Sequence, residues 1–325
     1  FDCAGAALVP AESSVWVGLW QTVAWLNPDT NPDGALERRN TVLNNMASMG
    51  YLTQEEADRY AGAPLGVLPE PKGLPDGCIT AGDNGFFCDY ALKYLSEKGL
   101  SQDDIERGSY TITTTLDPAV QDTTLAAVRA NVAPSTPGVA EVLNVVEPGS
   151  DTHDVKAMAS SRYYGLDLEQ NQTLLPQPSS MIGNGAGSVF KIFTAAAALE
   201  QGYGLDTMLD VPTRSVVYGM GKGGAANCPA DAYCVENAGV YPSRLSLRDA
   251  LAQSPNTAYI ARNPQNALGT TVDLAVRLGL RSYLDDGSFG DGRSVATAAK
   301  DENMGSFTLG PTAVNALELS NVGAT

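Results

Sequence analysis

The stretch Gly183-Asn184-Gly185-Ala186-Gly187-Ser188-Val189-Phe190-Lys191-Ile192-Phe193-Thr194-Ala195-Ala196-Ala197-Ala198-Leu199-Glu200 sets the reading of the whole chain. Its glycines give way abruptly to an apolar, strongly helix-forming run, so a helix starts at or beside Ser188. Lys191, three residues on, falls on the same face one turn later. Val189, Phe190, Ile192 and Phe193 leave almost no polar side, which predicts a buried helix that carries Lys191 inside with it. A buried ammonium without full anionic compensation loses its proton more easily than one in water. That is what a serine nucleophile needs from its base. Ser-x-x-Lys alone is a common accident of an exposed cap followed by a solvated lysine. Here the lysine sits inside Val-Phe-Lys-Ile-Phe, where an unpaired charge is costly and asks for a purpose.

The second piece is Ala250-Leu251-Ala252-Gln253-Ser254-Pro255-Asn256-Thr257. Pro255 disfavours a helical conformation at Ser254, so Ser254 and Asn256 are expected to project from a break between two helical stretches. Alone, such a break reads as a cap satisfying backbone donors. Beside Ser188 and Lys191 it becomes the second wall of a site. A Ser-His-Asp triad would have to use His153, the sole histidine, which lies in the polar turn Gly149-Ser-Asp-Thr-His153. Gly219-Met-Gly-Lys-Gly-Gly224 does not open a helix after a strand as a phosphate cradle does, and is read as a flexible loop without function.

At 325 residues with 43% hydrophobic content, the chain has material for one large or two unequal domains. Its 37 acidic and 20 basic residues give a net charge of −17, a field that repels phosphate backbones and anionic headgroups, so no nucleic-acid partner is expected. No apolar run approaches the roughly 20 residues needed to cross a bilayer. Phe1 is neither an initiator residue nor the head of a signal peptide, and the chain reads as an excised or processed piece. Of five cysteines, four form close pairs, Cys78 with Cys88 and Cys228 with Cys234. Each pair can close a small disulfide loop. Zinc is the alternative, but structural zinc prefers shorter spacers and histidine partners, so disulfides and an oxidising, extracytoplasmic setting are the expectation. Cys3 finds no place, and no metal or cofactor is called for.

Along the chain, 11–26 reads as a buried helix stopped by Asn27-Pro28 and Asn31-Pro32. A second helix, capped by Asp33 or Gly34, carries the stripe Leu36, Val42, Leu43 and Met46 and stops at Gly50. Thr53 with Glu56 is a capping box for a third. Residues 62–77 read as an extended, proline-rich connection, 111–116 as a strand and 119–131 as a helix after Pro118. VLNVVEP (142–148) and HDVKAMAS (153–160) form a hairpin around Pro148-Gly-Ser-Asp151. Residues 211–245 read as a long loop held by the second cysteine pair, whereas 246–261 and 270–280 are helical. Strands before helices indicate an α+β layer arrangement.

Thr114-Thr-Leu-Asp-Pro118, Gly185-Ala-Gly-Ser-Val-Phe-Lys-Ile-Phe193, Asp249-Ala-Leu-Ala-Gln-Ser-Pro-Asn-Thr257, Gly305-Ser-Phe-Thr-Leu-Gly-Pro311 and Asn315-Ala-Leu-Glu-Leu-Ser-Asn321 resemble, in this order, the class A bifunctional penicillin-binding proteins, most closely the actinobacterial, mycobacterial type. The resemblance implies the α+β fold of penicillin-binding transpeptidases and serine β-lactamases, an antiparallel sheet with helices on both sides. It implies three regions: 1–61, carrying Asn31-Pro-Asp-Gly-Ala-Leu-Glu-Arg-Arg-Asn40, as the helical end of a glycosyltransferase domain without glycan-polymerising activity; 62–135 as a linker region; and 136–325 as the transpeptidase domain. The third motif, Lys-Thr-Gly or Lys-Ser-Gly, does not occur before Thr325, so this domain is expected to be incomplete.

The same resemblance implies residue roles. Ser188 attacks the penultimate D-alanine carbonyl of a peptidoglycan stem peptide ending in D-Ala-D-Ala, Lys191 takes its proton, and Ser254 relays a proton to the departing D-alanine. Asn256 and Gly187 contact the substrate, and the Ser188 N–H gives half an oxyanion hole. β-Lactam antibiotics become covalent inhibitors. The parent protein is expected on the outer face of the bacterial plasma membrane, anchored by a segment outside this chain. Two readings compete. A class A β-lactamase shares Ser-x-x-Lys and Ser-x-Asn but has a deacylating Glu-x-x-Leu-Asn segment not evident here. A non-catalytic wall-binding scaffold is the other.

Overall fold

In the computed structural model, which describes residues 10–19, 26–28, 31–67, 77–108, 110–183, 185–261 and 267–325, the chain falls into two units, Phe1–Leu74 and Pro75–Thr325. The first unit holds α1 (Pro10–Leu19), α2 (Pro32–Ser48) and α3 (Gln54–Ala61). The capping box of α3 forms as expected, Glu56 N donating to Thr53 Oγ1 at 3.2 Å and Thr53 N to the Glu56 carboxylate at 2.8 Å. The cap of α2 is Asn31 rather than Asp33 or Gly34: its Oδ1 accepts from Gly34 N at 3.1 Å, because Pro32 suits the first helical position and starts the helix earlier. The buried stripe of α2 is Ala35, Arg39, Val42 and Leu43, whereas Leu36 and Met46 are only half-buried. Arg39 takes a core place because its guanidinium donates to Ala61 O and Ala63 O, both at 2.7 Å, and so serves the carbonyls at the end of α3. Cys3, residues 20–25 of the helix expected over 11–26 and residues 68–76 of the expected connection lie outside the described residues.

The second unit begins with α4 (Gly85–Glu97), α5 (Gln102–Gly108) and α6 (Pro118–Asn131), and a disulfide joins Cys78 to Cys88. Asp117 caps α6, accepting from Ala119 N and Val120 N. Residues 111–116 form no strand, contrary to their alternation. Most of them are exposed, so alternation gains little from burial; Leu116 packs on the cluster of Phe86 and Met158, and the hydrogen bonds to the sheet come from Thr115 Oγ1 to Val155 O and from Asp117 N to Lys156 O. The hairpin forms where expected, β1 (Val142–Glu147) running antiparallel to β2 (Asp154–Ser160) from Val142↔Ser160 to Glu147↔Asp154. Helices flank both of its faces. Met158 and Ala159 are successive and so point oppositely; Met158 packs with Phe86, Phe87 and Leu317, Ala159 with Leu125 and Val128. Buried Gln121 on α6 binds the Met158 backbone with both ends of its amide, at 2.9 and 3.0 Å.

The remaining strands are short: β3 (Tyr163–Tyr164), β4 (Gln172–Thr173), β5 (Met181–Ile182), β6 (Met208–Asp210), β7 (Arg214–Tyr218), β8 (Gly223–Gly224), β9 (Ala232–Glu236), β10 (Arg244–Ser246) and β11 (Val314–Asn315). The expected loop at 211–245 is therefore a correction: β7–β9–β8 make a three-stranded sheet and β10 pairs with β6. Glycines and prolines masked these strands, β8 being two glycines with no side-chain pattern to read. The glycine segment 219–224 ends in that edge strand.

Around α7 (Lys191–Glu200) stand α8 (Leu247–Gln253), α9 (Asn256–Ala261), α10 (Ala267–Leu278), α11 (Val295–Asp301) and α12 (Ala316–Ala324). One side of α7 joins Phe190 and Phe193 to Val272, Ala275, Tyr283, Ala299 and Phe307. The other packs Ala195 against Leu209, Leu247, Ala250, Ala258 and Tyr259. A helix apolar on both sides is a central one. Burying it in an interior of close-packed aromatics fixes it as the rigid member on which a site can be built.

Candidate active site

Ser188 lies in a short 3-10 turn, Gly187–Phe190, that leads directly into α7. The turn is seated by close backbone approach: Gly187 N donates to Gly310 O at 3.1 Å. Gly185 has φ +89°, and a Cβ there would overlap Gly310 O and Thr312 O. Glycine is thus required at 185 for conformation and for space. Gly310, with φ +58°, has the same need, since its Cβ would press on the Gly187 backbone. Thr194 on α7 and Thr308 complete the seam through a buried 2.7 Å hydrogen bond between hydroxyls.

Ser188 and Val189 are exposed, whereas Lys191 is completely buried, so the expectation that the whole run is enclosed fails at Val189. The turn faces outward before the helix plunges into the core. Lys191 Nζ is 3.1 Å from Ser188 Oγ, 2.7 Å from Ser254 O, 2.9 Å from Ser254 Oγ and 2.8 Å from Asn256 Oδ1. No carboxylate is among these partners. The Tyr259 ring, itself buried, lies with its centroid 5.9 Å from the amine. Burial therefore acts without a compensating anion and pushes the Lys191 ammonium down from 10.5 to about 8.

The partner set suits the neutral amine. Ser254 O and Asn256 Oδ1 can only accept, so they hold its two hydrogens. The lone pair is then left for a hydroxyl hydrogen, and Ser188 Oγ stands within reach to donate it. The arrangement can draw a proton from an exposed serine into a dry interior and return it through Ser254 Oγ, which shares the same nitrogen.

Ser254 ends α8 in the left-handed region, φ 61° and ψ 42°. The proline after it excludes a right-handed helical turn, and the left-handed conformation brings both Ser254 oxygens onto the amine, at a cost of about 1 kcal/mol. Asn256 is turned by its own amide, whose Nδ2 donates to Glu236 O at 3.0 Å. The structure thus brings Ser188, Lys191, Ser254 and Asn256 together, with Gly187 adjacent in the turn. Asn237, Thr257 and Tyr259 also support the group but were missed from sequence, because their partners come from segments distant in the chain. His153 stands elsewhere, at the hairpin, bonded to Asn321 Oδ1 at 2.8 Å and Gly149 O at 3.0 Å. The Cys228–Cys234 disulfide anchors β9, which carries Glu236. Among the described residues there is no cluster of metal-ligating side chains, and no helix is long and apolar enough to cross a membrane.

No family model matches the chain. Among curated proteins it is 28% identical over 269 residues to penicillin-binding protein 1A of Mycolicibacterium smegmatis, covering 80% of this chain and 30% of that protein. It is 27% identical over 211 residues to penicillin-binding protein 1A of Mycobacterium tuberculosis, covering 65% and 24% respectively. The chain thus spans less than a third of these relatives' length. Among solved structures it is similar to the penicillin-binding protein PonA1 of M. tuberculosis, with TM-score 0.55 and 22% identity over 75% of this chain and 57% of that one. Penicillin-binding protein 1A of Haemophilus influenzae gives TM-score 0.52 and 16% identity over 97% and 55%. The sequence resemblance to class A penicillin-binding proteins of mycobacterial type agrees with these relatives, and the α+β fold is shared with the two structures.

Proposed function

We propose that this relative of the class A penicillin-binding proteins carries the serine acyl-transfer centre of a peptidoglycan D,D-transpeptidase. The observation that carries the reading is the Lys191 amine, fully buried, free of carboxylate partners and 3.1 Å from the exposed Ser188 hydroxyl. Ser188 Oγ attacks the carbonyl of the penultimate D-alanine while its proton passes to the Lys191 lone pair. The C–N bond to the terminal D-alanine then breaks, and the proton returns to that leaving amine through Ser254 Oγ. The resulting ester on Ser188 is taken by the amine of a second stem peptide, which forms the cross-link and regenerates the serine. Asn256 and Gly187 line the substrate side. A β-lactam acylates the same oxygen and stays, because its opened ring keeps the leaving nitrogen attached.

In this reading residues 136–325 are the transpeptidase domain, 62–135 a linker region and 1–61 the helical end of a glycosyltransferase domain. The two disulfides support an extracytoplasmic location on the wall side of the plasma membrane, and the charge of −17 disfavours nucleic acid as a partner. Fluorescent penicillin tests the assignment. Stable labelling that Ser188→Ala abolishes supports it. Equal labelling of the variant and the parent would refute it, and rapid turnover of the drug would replace it with a β-lactamase.

A further inference from the structure

The loop that bears Ser254 and Asn256 has little to hold it from within: the seven-residue α8 before it, a left-handed serine, and a six-residue helix after it. What fixes it comes from the residue after β9. Asn237 Oδ1 accepts from Asn256 N at 2.8 Å and Thr257 N at 3.0 Å, and Asn237 Nδ2 donates to Pro212 O and Thr257 Oγ1, both at 3.0 Å. Thr257 Oγ1 in turn donates to Pro212 O at 2.7 Å. Both amide hydrogens and both oxygen lone pairs of Asn237 are therefore used. The two backbone N–H groups require an oxygen and the proline carbonyl requires a donor, so the amide has one orientation only. Its neighbour Glu236 supplies the carbonyl that turns the Asn256 side chain. Two successive residues thus hold Asn256, one by its backbone and one by its side chain.

We propose that Asn237 is a positioning residue for acylation, which fixes the Ser254–Asn256 turn so that its oxygens hold the Lys191 amine hydrogens and leave the lone pair to Ser188. It reaches neither the amine nor the serine and acts through Asn256. The inference rests on the acyl-transfer reading, and it explains why a polar asparagine follows a strand whose Cys234 and Val235 are buried. Of the elements packed on α9, β9 contributes Glu236 and β7 contributes Arg214, charges that pair with each other at 2.6 Å, and α7 contributes Lys191 itself. With that pair mutually neutralised, the ionisation of Lys191 reports mainly on how dry and how well held the amine is.

Two measurements on the purified chain test this: the rate of benzylpenicillin acylation against pH, and the titration of the Lys191 side chain followed by 13C NMR, its signal assigned by absence in Lys191→Arg. Asn237→Ala admits water to the turn. Acylation is expected to slow about tenfold to hundredfold, the loss typical of a small misplacement, and Lys191 to titrate at higher pH than in the parent. Asn237→Asp keeps the acceptor for both N–H groups but brings a negative charge. Its titration and rate midpoints both move upward, and most of the lost rate returns in alkaline solution. Asn237→Ser, which retains one acceptor, replaces the alanine variant if that does not fold. Unmoved titration of Lys191 in the variants overturns the proposal, whatever their melting temperatures or labelling. A parent that fails to label while Asn237→Ala still moves the titration overturns the acyl-transfer reading and leaves the positioning role standing.

Discussion

Asn256 Oδ1 stands 2.8 Å from Lys191 Nζ while the same side chain's Nδ2 is committed to Glu236 O at 3.0 Å. The amide therefore presents an acceptor, never a donor, to the amine. Its orientation is decided on β9, away from the reacting oxygen.

The pH dependence of acylation follows from the buried amine. Lys191 loses its proton at about 8 in the folded chain and at 10.5 ordinarily. In the proposed mechanism the neutral form is the base, so the rate is expected to rise about tenfold per pH unit well below 8 and to level off above it. In stability the unfolded chain binds more protons between 8 and 10.5, so folding gains from this group as pH rises through that window and loses the gain as pH falls through 8. Stopped-flow acylation and urea melts across pH 6–10.5 check both signs, and a rate that falls toward alkaline pH would contradict the assigned base.

Substitutions of the second wall are expected to act on the amine in different ways. Ser254→Ala removes one hydroxyl but leaves the Ser254 carbonyl in place, so labelling slows by about tenfold without being lost. Asn256→Asp places a carboxylate against the amine, favours the ammonium, and moves the rate profile to higher pH. Profiles that move equally in the two variants would contradict this division of roles.

The two disulfides are expected to separate stability from activity. Either loop is short, and replacing either pair by serines costs about 2–3 kcal/mol in the chain-entropy estimate. Cys228–Cys234 braces β9, which ends at Glu236 and leads into Asn237, whereas Cys78–Cys88 ties the segment before α4 to its first turn. The Cys228 and Cys234 double variant should therefore lose acylation rate as well as melting temperature, and the Cys78 and Cys88 double variant melting temperature alone.

Gly185 and Gly187 are expected to respond differently to alanine. At Gly185 the added carbon meets Gly310 O and Thr312 O and also enforces a poor φ of +89°, a combination that costs about 3 kcal/mol or more. At Gly187 the carbon meets nothing within 4 Å, and only the φ of +60° is disfavoured, by about 1 kcal/mol. Thermal denaturation of the two variants orders them.

The helical core and the approach of Lys191 to Ser188 were legible in the sequence because each is written locally. Phe190, Lys191 and Phe193 are buried as their apolar setting states, Val189 excepted, and Ser254-Pro255 states its own break. The hairpin was legible from alternation on both sides of a Pro-Gly turn. Residues 111–116 misled because alternation says that a strand is possible and nothing about a partner; the Thr115 hydroxyl and Asp117 N reach the Val155 and Lys156 carbonyls there, and no ladder forms. The sheet at 211–245 went unseen for the opposite reason, its pairing being set by distant partners such as Arg214↔Glu236 rather than by pattern. Asn237 shares that character: nothing around it in sequence names Pro212 or Thr257. Arg39 likewise looks like a surface charge until the last residue of α3 and the segment after it supply three carbonyls, of Ala61, Ala63 and Pro64.

The grip of Gln121 on Met158 bears on how the hairpin grows. A side-chain amide there imitates a peptide unit of a neighbouring strand, and beside it Thr115 and Asp117 occupy the carbonyls of Val155 and Lys156. That margin of β2 is already spoken for by groups that cannot propagate a ladder. Stray chains are denied a template on that side, which guards against edge-to-edge aggregation.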